Sequence, residues 1–135
     1  MVKMTTVYLG GLHCELEHGP SGRKIETDAP KDNNGRGEAF SPTDLVGAAL
    51  GSCILTTIAI SAEREGLQVK GSKATVQKEM VTDPHRRIGR FLVDLELPKN
   101  LDENHRRKFE HIAHTCPVTR SLHPELKVEI KFEYV

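Results

Sequence analysis

The chain has 135 residues, 37% hydrophobic and only 4% aromatic, with no tryptophan; this is the size of one domain with a core short of large side chains. Nineteen Lys and Arg balance nineteen Asp and Glu, which excludes the basic footprint of a nucleic-acid binder. The three cysteines lie far apart with no C-x-x-C, which excludes a disulfide-stapled scaffold and a thioredoxin-type motif.

The opening Met1-Val2-Lys3-Met4-Thr5-Thr6 runs into an alternating segment rather than a secretory leader. Residues 2–18 read as extended structure turning at Gly10-Gly11, and the alternation from Leu12 to Glu17 puts Cys14 on an apolar strand face, as a buried inert thiol. A turn at His18-Gly19-Pro20-Ser21-Gly22 leads to a returning strand, Arg23-Lys24-Ile25-Glu26-Thr27, and residues 29–41 form a loop. Ser41 suits a helix N-cap, Pro42 the first helical position and Asp44 the acid of a capping box. From Leu45 to Leu55 every side is apolar or small, and Gly66 ends the helix. A helix apolar all round is expected to be buried all round, by sheets or by a second subunit.

Strands are expected over 67–80 and 88–98 with a turn at Asp83-Pro84-His85, then a helix over 102–114. Pro117 opens a further short helix running through Leu122, and residues 126–134 alternate as a final strand. The class is α+β with segregated elements, in a single domain spanning 1–135. The only long apolar stretch is interrupted by small and polar residues, so the expectation is a soluble cytoplasmic protein with no membrane segment and no nucleic-acid partner. So aromatic-poor a core is often completed by another copy, which points to a homodimer.

Two cysteines offer chemistry. Cys53, deep in a helix and far from its N-terminus, needs a nearby cation to ionise, and Arg23 or Arg36 is the candidate; without one it is packing. Cys116, just before Pro117, would be an N-cap thiol at the positive end of a helix, or else an ordinary loop cysteine. His111, His114 and Cys116 form H-x-x-H-x-C, but no second cluster completes four zinc ligands, so no metal is expected. Gly35-Arg36-Gly37 does not follow a strand as a phosphate loop would, and neither the oriented base nor the oxyanion hole of a Cys–His hydrolase can be located.

The segment Ser41-Pro42-Thr43-Asp44-Leu45-Val46-Gly47-Ala48-Ala49-Leu50-Gly51-Ser52-Cys53 resembles the first cysteine signature of the OsmC/Ohr family, the osmotically inducible and organic hydroperoxide resistance proteins. Thr115-Cys116-Pro117-Val118-Thr119-Arg120-Ser121-Leu122 resembles the second, and Ser21-Gly22-Arg23 with the loop from Asp28 to Gly37 is similar to the OsmC-like branch. The resemblance implies an OsmC-like fold with antiparallel sheets around a long central buried helix, in an intertwined homodimer. It also implies a thiol peroxidase without a cofactor. Cys53 would attack an organic hydroperoxide and become a sulfenic acid, Cys116 would close a Cys53–Cys116 disulfide, and an external dithiol such as dihydrolipoamide would reduce it. In the family an arginine held by a carboxylate activates the first cysteine. Arg23 corresponds best, ahead of Arg36. Where organic hydroperoxide resistance proteins carry a Glu after the proline, this chain has Thr43 and then Asp44, so Asp44 or Glu38 is the expected support. Leu50, Ile54 and Phe40 are expected to line the site and favour bulky organic peroxides over hydrogen peroxide. The alternative is a redox-sensing or small-molecule-binding protein with little turnover.

Overall fold

Short alternating strands account for most of the first 28 residues in the computed structural model, which describes residues 1–135. The chain is built as two units, Met1–Val46 and Gly47–Val135. In the first, β1 (Met4–Gly10), β2 (His13–His18) and β3 (Lys24–Asp28) form an antiparallel sheet in the order β1-β2-β3. Register sets Tyr8 opposite Cys14 and Cys14 opposite Thr27. Cys14 is half-buried rather than closed off as expected. Nothing in the chain covers the neighbouring strand fully: Val7, Tyr8 and Leu9 are 51%, 63% and 55% exposed.

The loop after β3 is closed on itself. A single 3-10 turn at Lys31–Asn33 is followed by Gly35, whose N–H donates to the Pro30 carbonyl at 2.9 Å. A Cβ at Gly35 would stand 1.7 Å from the Ala29 carbonyl oxygen, so only glycine fits this approach. The loop ends at a full capping box. Ser41 Oγ accepts from the Asp44 N–H at 3.0 Å, and Asp44 Oδ2 accepts from the Ser41 N–H at 2.9 Å. There α1 (Pro42–Arg64) begins, as expected from Ser41, Pro42 and Asp44.

The second unit packs α1 on a sheet of β4 (Lys73–Val81), β5 (Arg87–Leu97) and β6 (Lys127–Tyr134), in the order β4-β5-β6. The pair β4–β5 is antiparallel, but β5–β6 is parallel, so the second sheet is mixed and not antiparallel throughout. The reason is the connection: α2 (Glu103–Thr115) and α3 (Pro117–Ser121) lie between β5 and β6, and such a helical crossover returns the chain in the same direction. β4 also starts at Lys73, not at residue 67. Leu67 still bonds back to the Ala62 carbonyl, and the Ser72 N–H closes a turn onto Val69.

The chain itself buries one face of α1. Gly47, Leu50, Gly51, Ile54, Ile58 and Ala62 form one buried stripe at helical spacing, whereas Ala48, Ala49, Ser52, Thr56 and Ile60 are exposed. Within the chain one sheet covers one face, and the expected burial of the remaining faces falls to a second subunit. The glycines set how close that face comes: a Cβ at Gly47 would be 3.0 Å from Phe91, and one at Gly51 would be 3.1 Å from Val76. The helix has the length and composition of a membrane span, yet its buried stripe is the core of this unit. Leu50, Ile54, Phe91, Leu95 and Phe109 are all completely buried, each contributing about 1.5–3 kcal/mol of transfer free energy.

Candidate functional site

Two elements of the second unit present the cysteines. α1 carries Cys53 between the buried Leu50 and Ile54; the residue is half-buried and its thiol is free. Thr57, one turn on, donates its hydroxyl to the Cys53 carbonyl at 2.7 Å and lies 3.9 Å from Cys53 Sγ.

Cys116 sits at the break between α2 and α3, where Pro117 enforces a new helix start. Its backbone is extended, at φ −64° and ψ 156°, and its carbonyl accepts the first bond of α3 from Arg120. The residue is therefore the N-cap expected from sequence. Its sulfur is 1% exposed and 3.3 Å from Thr119 Oγ1.

Cys53 is among the groups that act on the Cys116 thiol. Burial pushes the Cys116 thiol up. The Thr119 hydroxyl and N–H, the Cys53 side chain and the Val118 N–H together outweigh burial and hold it below the ordinary thiol value. The sulfur makes no cap hydrogen bond as a serine oxygen would, so the two N–H groups act by favouring the thiolate charge. The pair can thus supply one sulfur that ionises readily beside another, which is the requirement for making and breaking a bond between them.

Of the other residues expected at the site, Arg23, Arg36, Glu38, Phe40 and Asp44 belong to the first unit. Arg23 is an exposed residue just ahead of β3, with its N–H on Ser21 Oγ at 3.3 Å. Arg36 lies over the first hairpin turn, with Nη2 2.9 Å from where a Gly11 Cβ would stand. Its charge favours the ionised form of Asp28. Glu38 is exposed and engages Asp28 through its backbone N–H at 3.2 Å. Asp44 has one carboxylate oxygen committed to the helix cap. Leu50 and Ile54 are both 0% exposed and belong to the core, which corrects the expectation that they line an approach to the sulfur; Phe40 is 55% exposed. His114, considered with His111 and Cys116 as a metal ligand, packs edge-on against Phe132 at 5.8 Å.

Sequence reasoning missed a charged cluster in the first unit. His13 Nδ1 is 2.6 Å from Asp28 Oδ1, and His13 Nε2 is 3.3 Å from Glu26 Oε1. Asp28 is only 3% exposed. Its hydrogen bond from His13, the main cause, holds its carboxyl below the usual range, and the same bond raises His13. The register of β2 on β3 creates this pair, and nothing local to either residue signals it. Thr119 was also missed, though a Cys-x-x-Thr spacing at a helix start was legible as a hydroxyl one turn from the sulfur.

The sequence profile of the OsmC-like protein family matches residues 35–131. A structure from Psychrobacter arcticus 273-4, provisionally assigned as an osmotic stress induced and detoxification response protein, is 38% identical. The alignment covers 98% of this chain and 96% of that one, with a TM-score of 0.93. The organic hydroperoxide resistance protein OsmC of Legionella pneumophila shares the fold at 17% identity and a TM-score of 0.79, covering 100% and 97%. So does the organic hydroperoxide resistance protein OhrB of Bacillus subtilis, at 16% identity and a TM-score of 0.70, covering 98% of each chain. No curated protein sequence matches.

Proposed function

We propose that this chain, which belongs to the OsmC-like protein family, is a thiol-dependent peroxidase that reduces organic hydroperoxides to alcohols. The observation that carries the reading is a buried Cys116 at a helix start, 3.3 Å from the Thr119 hydroxyl, whose thiolate Thr119 and Cys53 favour. Family members of the same fold named for organic hydroperoxide resistance supply the substrate class.

The Cys53 thiolate attacks the terminal peroxide oxygen, the O–O bond breaks, and the alkoxide leaves as alcohol after taking a proton. Cys53 is then a sulfenic acid. The Cys116 thiolate attacks that sulfur, the S–O bond breaks, and hydroxide leaves as water once protonated. An external dithiol such as dihydrolipoamide returns two electrons to the Cys53–Cys116 disulfide. Arg23 and Arg36 are the candidate activating cations. Arg36 is the one whose charge acts on a buried carboxylate, that of Asp28. Glu38 and Asp44 remain the other candidate supports, Asp44 with one oxygen already in the cap.

A second copy completes the fold in this reading. The apolar residues exposed on β1 and β3, Val7, Tyr8, Leu9 and Ile25, and Ile60 on α1 are what a homodimer would cover. The reducing cytoplasm suits three free cysteines.

The test is peptide mapping after one equivalent of cumene hydroperoxide. One Cys53–Cys116 disulfide per alcohol formed is expected, a dimedone-trapped sulfenic acid on Cys53 in Cys116→Ser, and no alcohol in Cys53→Ser. Alcohol formation that survives Cys53→Ser contradicts the reading. A disulfide that forms once and is never turned over by a dithiol makes the protein a redox sensor.

A further inference from the structure

The surroundings of the two sulfurs differ, and the difference bears on the half of the cycle that returns them to thiols. Cys116 is 1% exposed, and assembly with other copies only covers more surface, so an external thiol has no approach to it. Cys53 is half-buried, and whatever path brings a hydroperoxide to its sulfur also admits a thiol. The neighbouring hydroxyls differ too. Thr57 has given its one proton to the Cys53 carbonyl at 2.7 Å, leaving none for Cys53 Sγ. Thr119 Oγ1 is 3.3 Å from Cys116 Sγ and can donate to it.

We propose that reduction of the disulfide runs in one direction: an external thiolate attacks Cys53 Sγ, and Cys116 leaves as a thiolate that the Thr119 hydroxyl holds. The inference rests on the disulfide cycle proposed above. In the first step the Cys53–Cys116 bond breaks as a mixed disulfide forms between Cys53 and the reductant, and the electron pair goes to Cys116. In the second, the reductant's other thiolate attacks its own sulfur in the mixed disulfide and releases the Cys53 thiolate. The dithiol has lost two electrons and becomes a cyclic disulfide; its two protons end on the protein thiols or in water. Exchange is faster when the leaving sulfur is the better-stabilised anion, so Thr119 sets both the rate and the direction.

The test starts from protein oxidised with diamide, which makes the disulfide without peroxide. The result therefore stands apart from whether the chain turns over hydroperoxides. A brief pulse of 2-mercaptoethanol, acid quenching and peptide mapping locate the mixed disulfide. The adduct is expected on Cys53 with Cys116 free; an adduct on Cys116 overturns the inference. Thr119→Val slows the pulse reaction about three- to tenfold, the loss of one charge-assisted hydrogen bond felt at fractional sensitivity, and Thr119→Ser restores it. In reduced protein carrying Cys14→Ser and Cys53→Ser, the pH midpoint of thiolate absorbance rises with Thr119→Val and returns with Thr119→Ser. Loss of packing alone would not produce that return. An unchanged rate and midpoint in Thr119→Val sinks the role of Thr119.

Discussion

Ile54 and Ile60 lie on the same helix, and truncating each to alanine tests whether α1 buries one face or all of them. Ile54 is 0% exposed and Ile60 48% exposed. Alanine removes three carbons, worth about 2.4 kcal/mol at about 0.8 kcal/mol per buried methylene. At Ile54 the rigid sheet side cannot collapse onto the gap, so a cavity contribution brings the loss to about 3 kcal/mol. At Ile60 about half the transfer is available, no cavity forms, and the better helix propensity of alanine returns about 0.4 kcal/mol. The loss there is below about 1 kcal/mol in the isolated chain. Urea unfolding followed by far-UV circular dichroism, at low and high protein concentration, measures both. If a second copy covers Ile60, its penalty grows with concentration while that of Ile54 does not. Equal penalties at low concentration would refute the one-sided packing of α1.

Three further outcomes follow from named contacts. The His13–Asp28 pair stabilises the first unit above the unfolded pKa of Asp, about 3.9, and below that of His, about 6.5. Its contribution is lost as pH falls through the lowered Asp28 value or rises through the raised His13 value. His13→Gln therefore flattens the loss of stability on the alkaline side in a urea titration repeated across pH, and an unchanged slope would count against the pair. Asp44→Ala removes half of a capping box and costs about 1 kcal/mol of unfolding free energy; a peroxidase rate unchanged in that variant separates the cap from arginine support. Gly35→Ala places a Cβ against the Ala29 carbonyl, and faster amide exchange across residues 29–41 is expected; unchanged protection would mean that the backbone accommodates it.

Where function resides in local chemistry, the sequence was readable. Ser41 with Asp44, and Cys116 with Pro117, each carry their own instruction, a cap and a helix start, and both stand where expected. The alternation of residues 126–134 likewise became β6. What was not readable depends on partners distant in sequence. The residues from Leu45 to Leu55 are apolar on every side, but composition does not say how many layers one chain supplies, and α1 is covered on one face. The parallel pairing of β5 with β6 follows from a crossover whose direction no strand encodes. His13 meets Asp28 only because β2 and β3 share a register. Leu50 and Ile54 are apolar residues flanking Cys53, and composition alone does not separate a site lining from the buried stripe to which both belong.

The most direct test of the peroxidase reading is turnover driven by dihydrolipoamide, comparing cumene hydroperoxide with hydrogen peroxide for the wild-type protein and Cys53→Ser. The account predicts sustained turnover that favours the organic peroxide and disappears in the variant. Thiols that stay reduced under excess of either oxidant, with no turnover, would contradict it and leave the fold without the activity.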